Sequence, residues 1–158
     1  MRKCAIVAAA SIVLSFVFAG PLSAQPSLSW NWGVITDKSL SFSPFLWTNG
    51  VAFDIDIGLR LSITPEVYLT IRNFDFGQAI LIPSAVLTLY SKGTFIAAGV
   101  AKSFRMGAEI AGNPVPDVSC KLNVGLRGDG MKFTLMIYTP FDAFLKEIAI
   151  GGGVGFFF

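Results

Sequence analysis

Residues 148–158 read I-A-I-G-G-G-V-G-F-F-F, and this ending decides the fold. Counted back from the end, Phe158, Phe156, Val154, Gly152, Ile150 and Ile148 are each apolar or glycine. A side-chain period of two is a β-strand with one face in an apolar environment. In water such a phenylalanine-rich strand is an edge that invites aggregation. Within a bilayer it is safe when its backbone is paired on both sides, as in a closed barrel.

The same alternation recurs upstream. In residues 51–63, Val51, Phe53, Ile55, Ile57, Leu59, Leu61 and Ile63 face one way; Ala52, Asp54, Asp56, Gly58, Arg60 and Ser62 face the other. Residues 118–126 set Val118, Cys120, Leu122, Val124 and Leu126 against Ser119, Lys121, Asn123 and Gly125, running on to Arg127. Residues 131–137 oppose Met131, Phe133, Leu135 and Ile137 to Lys132, Thr134 and Met136. Residues 28–34 give a first strand. Less regular strands are expected at 67–76 with Arg72 inward, at 80–90 across Pro83, and at 94–104. With a last strand near 146–158, the count is eight.

The connections point to the topology. Three are short and carry turn chemistry: Thr64-Pro65-Glu66, Ser91-Lys92-Gly93 and Arg127-Gly128-Asp129-Gly130. Four are longer: 36–50, about 75–80, 105–117 and 139–145. Long and short alternate, as in a membrane barrel with tight turns at one end and loops at the other. Trp30, Tyr68, Tyr90, Phe156 and Phe158 fall at the short-turn end. Trp47, Phe74, Phe76, Phe104, Phe141 and Phe144 fall at the other, as two interfacial girdles would.

With these residues in view, the ending resembles the C-terminal strand of bacterial outer-membrane β-barrel proteins. The resemblance implies that Val154, Phe156 and Phe158 form a C-terminal assembly signal read by the barrel-assembly machinery. By size and loop pattern the chain looks like the small barrels of the OmpX, OmpA-domain and OmpW type. The expected fold is all-β: an eight-stranded antiparallel up-and-down transmembrane β-barrel, in the outer membrane of a diderm bacterium and in contact with its lipid.

The N-terminus agrees. Met1-Arg2-Lys3 is a basic n-region, residues 5–18 are apolar without a charge, and Leu22-Ser23-Ala24 offers small residues at −3 and −1. Residues 1–24 therefore read as a secretory signal peptide and residues 25–158 as the barrel. The apolar run falls short of the roughly 20 residues that a spanning helix needs, and Gly20-Pro21 breaks it. Removing 24 residues from 158 leaves 134, enough for one domain. Arg2 and Lys3 leave with the leader, so 10 of the 12 basic residues remain against 10 acidic ones. A chain so balanced presents no basic face for nucleic acid. Cys4 leaves as well, so only Cys120 remains and no disulfide can form within the mature chain.

There is no histidine. Ser-His-Asp and Cys-His catalysis and His-Cys zinc sites are excluded. The enzymes among small outer-membrane barrels, lipid A deacylases and palmitoyltransferases included, resemble one another in using a histidine that this chain lacks. No catalytic residue, metal ligand or cofactor is assigned. Asp54 and Asp56 point the same way along one strand, and the bland reading of them is structural. Asp54, Asp56, Arg60, Arg72, Lys121, Arg127, Lys132 and Glu147 are all assigned inward, as a charge network filling a narrow lumen. Reflection about Pro65 sets Arg72 diagonal to Asp56, so Arg72 is expected to pair with Asp56 or Asp54. Glycines 151–153 and 155 sit in no strand–loop–helix unit and read as aids to curvature.

The expected function is a non-enzymatic barrel with a filled lumen, acting structurally or by contacting an extracellular ligand through its loops. The alternative is a narrow porin-like channel or hydrophobic-ligand conduit. It is prompted by the greasy first loop, Phe42-Ser43-Pro44-Phe45-Leu46-Trp47.

Overall fold

The computed structural model describes residues 27–40, 42, 45–58, 60–107 and 113–158. The expected signal peptide, 1–24, lies outside the described residues. Nine strand segments follow in chain order: β1 (Ser27–Asp37), β2 (Leu46–Gly58), β3 (Leu61–Arg72), β4 (Asp75–Ser91), β5 (Thr94–Lys102), β6 (Phe104–Gly107), β7 (Val118–Arg127), β8 (Met131–Pro140) and β9 (Ala149–Phe157). β5 and β6 both pair with β4 in one register and make a single stave, so the barrel has eight. They are separated at Ser103, beside the partner of Pro83, which has no N–H to give to a ladder. Ser103 turns its own N–H to the Asp117 carbonyl at 2.8 Å instead. Every neighbouring pair is antiparallel, and β9 closes the cylinder against β1 with Ser29 opposite Phe157.

Stagger follows from the partners. The walk Ser27, Asp54, Thr64, Val86, Gly99, Lys121, Tyr138, Ala149 returns to β1 at Asp37, ten residues above its start. A shift of ten over eight strands sets a tilt of roughly 40°. Each residue then climbs about 2.5 Å along the barrel axis, from a rise of roughly 3.3 Å per residue.

Alternation sorts the two faces as the sequence implies. Leu28, Trp30, Trp32, Val51, Phe53, Val67, Leu89, Ile96, Val100, Val124, Leu126, Phe133 and Leu135 lie exposed on the outer wall. Between the lower rim at Leu89 and Met131 and the upper rim at Phe104 and Val118, this wall spans about 25 Å, the height expected of an apolar band. Lys102 lies on it near the top, with its ammonium 4.9 Å from the Phe104 ring, where a long side chain can reach headgroups. Asn49 also faces outward. Its Oδ1 accepts the Trp30 indole N–H, which answers its burial in hydrocarbon.

Three expectations about connections are corrected. The β2–β3 reversal lies between Gly58 and Leu61, not at Thr64-Pro65-Glu66. Pro65 is an outward residue inside β3, opposite Ala85. Residues 51–63 thus straddle a reversal that alternation does not reveal: from Leu46↔Arg72 to Asp56↔Ser62 the partners share parity, and only the shifted Gly58↔Leu61 pair beside the turn breaks it. Second, 73–74 is a two-residue turn, not a longer loop. Asn73 (φ 48°) and Phe74 (φ 61°) are both left-handed, as a tight hairpin requires, and β4 extends over 17 residues. Strict alternation of long and short connections fails there. Third, β1 runs to Asp37 and β2 begins at Leu46, so the greasy first loop is partly strand. Leu46 points into the barrel, and Trp47 points out.

Candidate functional site: the lumen

The lumen is layered. At the short-turn end sit Asp54, Tyr90, Arg127, Lys132 and Phe157. In the middle sit Glu66, Tyr68, Lys121 and Tyr138. Above them Ile35, Leu46, Ile80, Ile82, Ala101 and Ala149 form a buried apolar cluster with Met136. Val115, from the loop between β6 and β7, is buried in the same cluster. Asn113 fixes that loop from both sides: its Nδ2 donates to the Val115 carbonyl (3.1 Å), and its Oδ1 accepts the Val115 N–H (3.0 Å). Ser103 Oγ adds a bond to the Pro116 carbonyl (3.1 Å).

The central pair is Lys121 and Glu66. Lys121 Nζ lies 2.8 Å from Glu66 Oε1, with both side chains almost wholly buried. The ammonium also donates to Ser84 Oγ (3.3 Å) and faces the rings of Tyr68 (4.3 Å) and Tyr138 (5.1 Å). This surrounds a dehydrated cation with a carboxylate, a hydroxyl and two π faces. Glu66 was missed at the level of sequence because Pro65 placed it in a turn. Parity marks it: Ser62, Thr64, Glu66, Tyr68 and Thr70 form one buried, even-numbered row. Tyr68 accordingly belongs to the lumen and not to an interfacial girdle.

The lower group centres on Arg127. Its Nη1 reaches Asp54 Oδ2 (3.5 Å) and its Nη2 reaches Ser27 Oγ (3.5 Å). The guanidinium is flanked by the rings of Tyr90 (4.9 Å) and Phe157 (4.3 Å). Thr64 Oγ1 donates to the other Asp54 oxygen at 2.7 Å. Lys132 is buried nearby, its ammonium 5.6 Å from the Phe157 ring. Asp56 is half-buried, and with Arg60 and Asp129 it lines an open vestibule of about 340 Å³ at the short-turn mouth.

The other expected members lie elsewhere. Arg60 is exposed in the β2–β3 turn, and Glu147 is exposed in the loop after β8. Arg72 does not meet Asp54 or Asp56. It stands opposite Leu46 at the far end of the barrel and donates to Gln78 Oε1 (3.2 Å). The error is the turn: moving the centre of reflection from 65 to 59 carries Arg72 twelve residues along β2. On the closing strand Val154 and Phe156 face outward, and Phe158 is exposed at the lower rim. Among the described residues no group of three or more acidic, cysteine or histidine side chains could hold a metal ion.

No protein-family model matches the sequence, and no curated protein does. Solved structures do match. The designed barrel TMB2.3, known from solution NMR, is 6% identical over 86% of this chain and 97% of its own, with a TM-score of 0.50. The N-terminal β-barrel domain of Pseudomonas aeruginosa OprF is 13% identical over 86% of this chain and all of its own (TM-score 0.47). Ail, the attachment invasion locus protein of Yersinia pestis, is 8% identical over 85% and 97% (TM-score 0.41). At such identities the likeness is one of fold, and the fold is that of an eight-stranded antiparallel transmembrane β-barrel.

Proposed function

We propose that this chain is a non-enzymatic outer-membrane protein of a diderm bacterium whose lumen is closed and whose work is done by its long-loop end. The observation that carries the reading is the layering of the interior. Ile35, Leu46, Ile80 and Ile82 pack across the upper lumen beneath Val115. Below them the Lys121–Glu66 pair leaves a cavity of only about 20 Å³. An ion crossing this interior would have to shed its water in an apolar layer, at a cost of many kcal/mol. An eight-stranded barrel is just wide enough to be filled in this way. The strands then act as a stand for the loops, where Leu40, Phe42, Phe144 and Leu145 are exposed. These apolar residues favour contact with an extracellular ligand.

Export by the leader and reading of Val154, Phe156 and Phe158 by the assembly machinery belong to the same proposal. It is supported by the position of that strand as the closing stave. Planar-bilayer recording of the refolded protein tests the closed lumen. Silence is the expected result, and discrete, reproducible conductance steps would refute it in favour of a channel.

A further inference from the structure

Three polar groups converge on one small cavity inside the barrel. Glu66 Oε1 and Asn123 Oδ1 are buried acceptors that receive no hydrogen bond from the protein. Lys121 Nζ lies 2.8 Å from Glu66 Oε1 and balances its charge, and a carboxylate oxygen has a further lone pair to fill. Lys132 is the third group: a cation only 8% exposed, with the Phe157 ring at 5.6 Å and the Asp54 and Glu66 carboxylates lining the same cavity. Glu66, Asn123 and Lys132 all line the cavity of about 20 Å³, together with Asp54, Thr64 and Arg127.

Size and valence both select the occupant. A void needs roughly 10–15 Å³ to hold one water, and a buried water makes about three hydrogen bonds to otherwise unsatisfied groups. Water has two protons to give and lone pairs to receive. The cavity presents two acceptors that need protons and one ammonium that needs a lone pair.

We propose that this cavity is a structural water site, in which one molecule donates to Glu66 Oε1 and Asn123 Oδ1 and accepts from Lys132 Nζ. The water joins the Lys121–Glu66 pair to the Asp54–Arg127 group below it. With such a bridge Lys132 gains a direct lone-pair partner, beside the Phe157 ring and the Asp54 and Glu66 carboxylates that share its cavity. A halide fits the volume but not the lining, because two carboxylates face it. An apolar occupant would leave the Asn123 oxygen unpaired and give nothing to Glu66 or Lys132.

A crystal structure of the refolded, unmodified protein at a resolution that orders internal water is the direct test. A single peak within hydrogen-bond distance of Glu66 Oε1, Asn123 Oδ1 and Lys132 Nζ is expected, with no anomalous signal after a bromide soak. An empty cavity, or a bromide peak there, would overturn the assignment. A second measurement uses Asn123→Leu, which displaces the water, and Lys132→Met, which removes the cation. Asn123→Leu should lower the heat-modified gel-shift temperature, and adding Lys132→Met should restore most of the loss. Additive losses in the double variant would also overturn the bridge.

Discussion

Replacing Lys121 by methionine keeps much of the side-chain volume but strands Glu66 in the middle of the barrel. The partners are 2.8 Å apart, and at that distance an effective dielectric of 20 gives an attraction of about 6 kcal/mol before desolvation is charged against it. Both side chains are nearly inaccessible, so bulk water cannot replace the lost cation. Removing one partner of such a pair typically costs about 3–5 kcal/mol, whereas replacing both by apolar residues is often neutral. Lys121→Met should therefore destabilise by at least about 3 kcal/mol. Glu66→Leu combined with Lys121→Met should regain most of that loss. Urea unfolding in lipid vesicles, followed by tryptophan fluorescence, measures both; all three tryptophans, Trp30, Trp32 and Trp47, face outward and report the loss of lipid contact. A single-variant cost below about 1 kcal/mol, or a double variant as unstable as the sum of the singles, would refute the claim that the pair is closed to bulk solvent and mutually dependent.

Asp54→Ala should lower stability by about 1–3 kcal/mol, since it deprives both Thr64 and Arg127 of a buried acceptor, while Arg72→Ala should cost under about 1 kcal/mol; the same urea titration ranks them. Two glycines should differ sharply in refolding yield. A Cβ at Gly99 would run into the Ala85 carbonyl oxygen and sit 2.6 Å from Val86 Cα, so Gly99→Ala should refold poorly, whereas Gly152→Ala meets nothing within 4 Å and should refold normally. In the Lys92-Gly93 turn both residues have positive φ (44° and 82°), so Lys92→Asn should stabilise by roughly 0.5–1 kcal/mol, read as a rise in the heat-modified gel-shift temperature. Phe158→Ala should leave the folded barrel's stability nearly unchanged but slow its assembly into membranes in pulse-chase labelling, because that ring is 78% exposed and packs little.

The sequence by itself determined which side of the wall each residue faces. Asp54, Lys121, Arg127 and Lys132 fall on the lumen side by parity alone, and the apolar partners of each strand fall outside. Period two is a local property of an extended chain, and it survives any turn centred on a residue. That same invariance hid the turn. Centres at 59 and at 65 preserve parity equally, so alternation gave no means of choosing between them, and Pro65 drew the reading to the wrong one. Only pairing in three dimensions decided that Ala52 stands opposite Glu66 and Leu46 opposite Arg72, and hence which charges meet. Loop composition likewise did not tell that 73–74 closes as a tight turn, or that Val115 folds onto the barrel's apolar layer. Facing is set by each residue's own backbone. Partnership is set by register, closure and a ten-residue stagger, which exist only once all eight staves have joined.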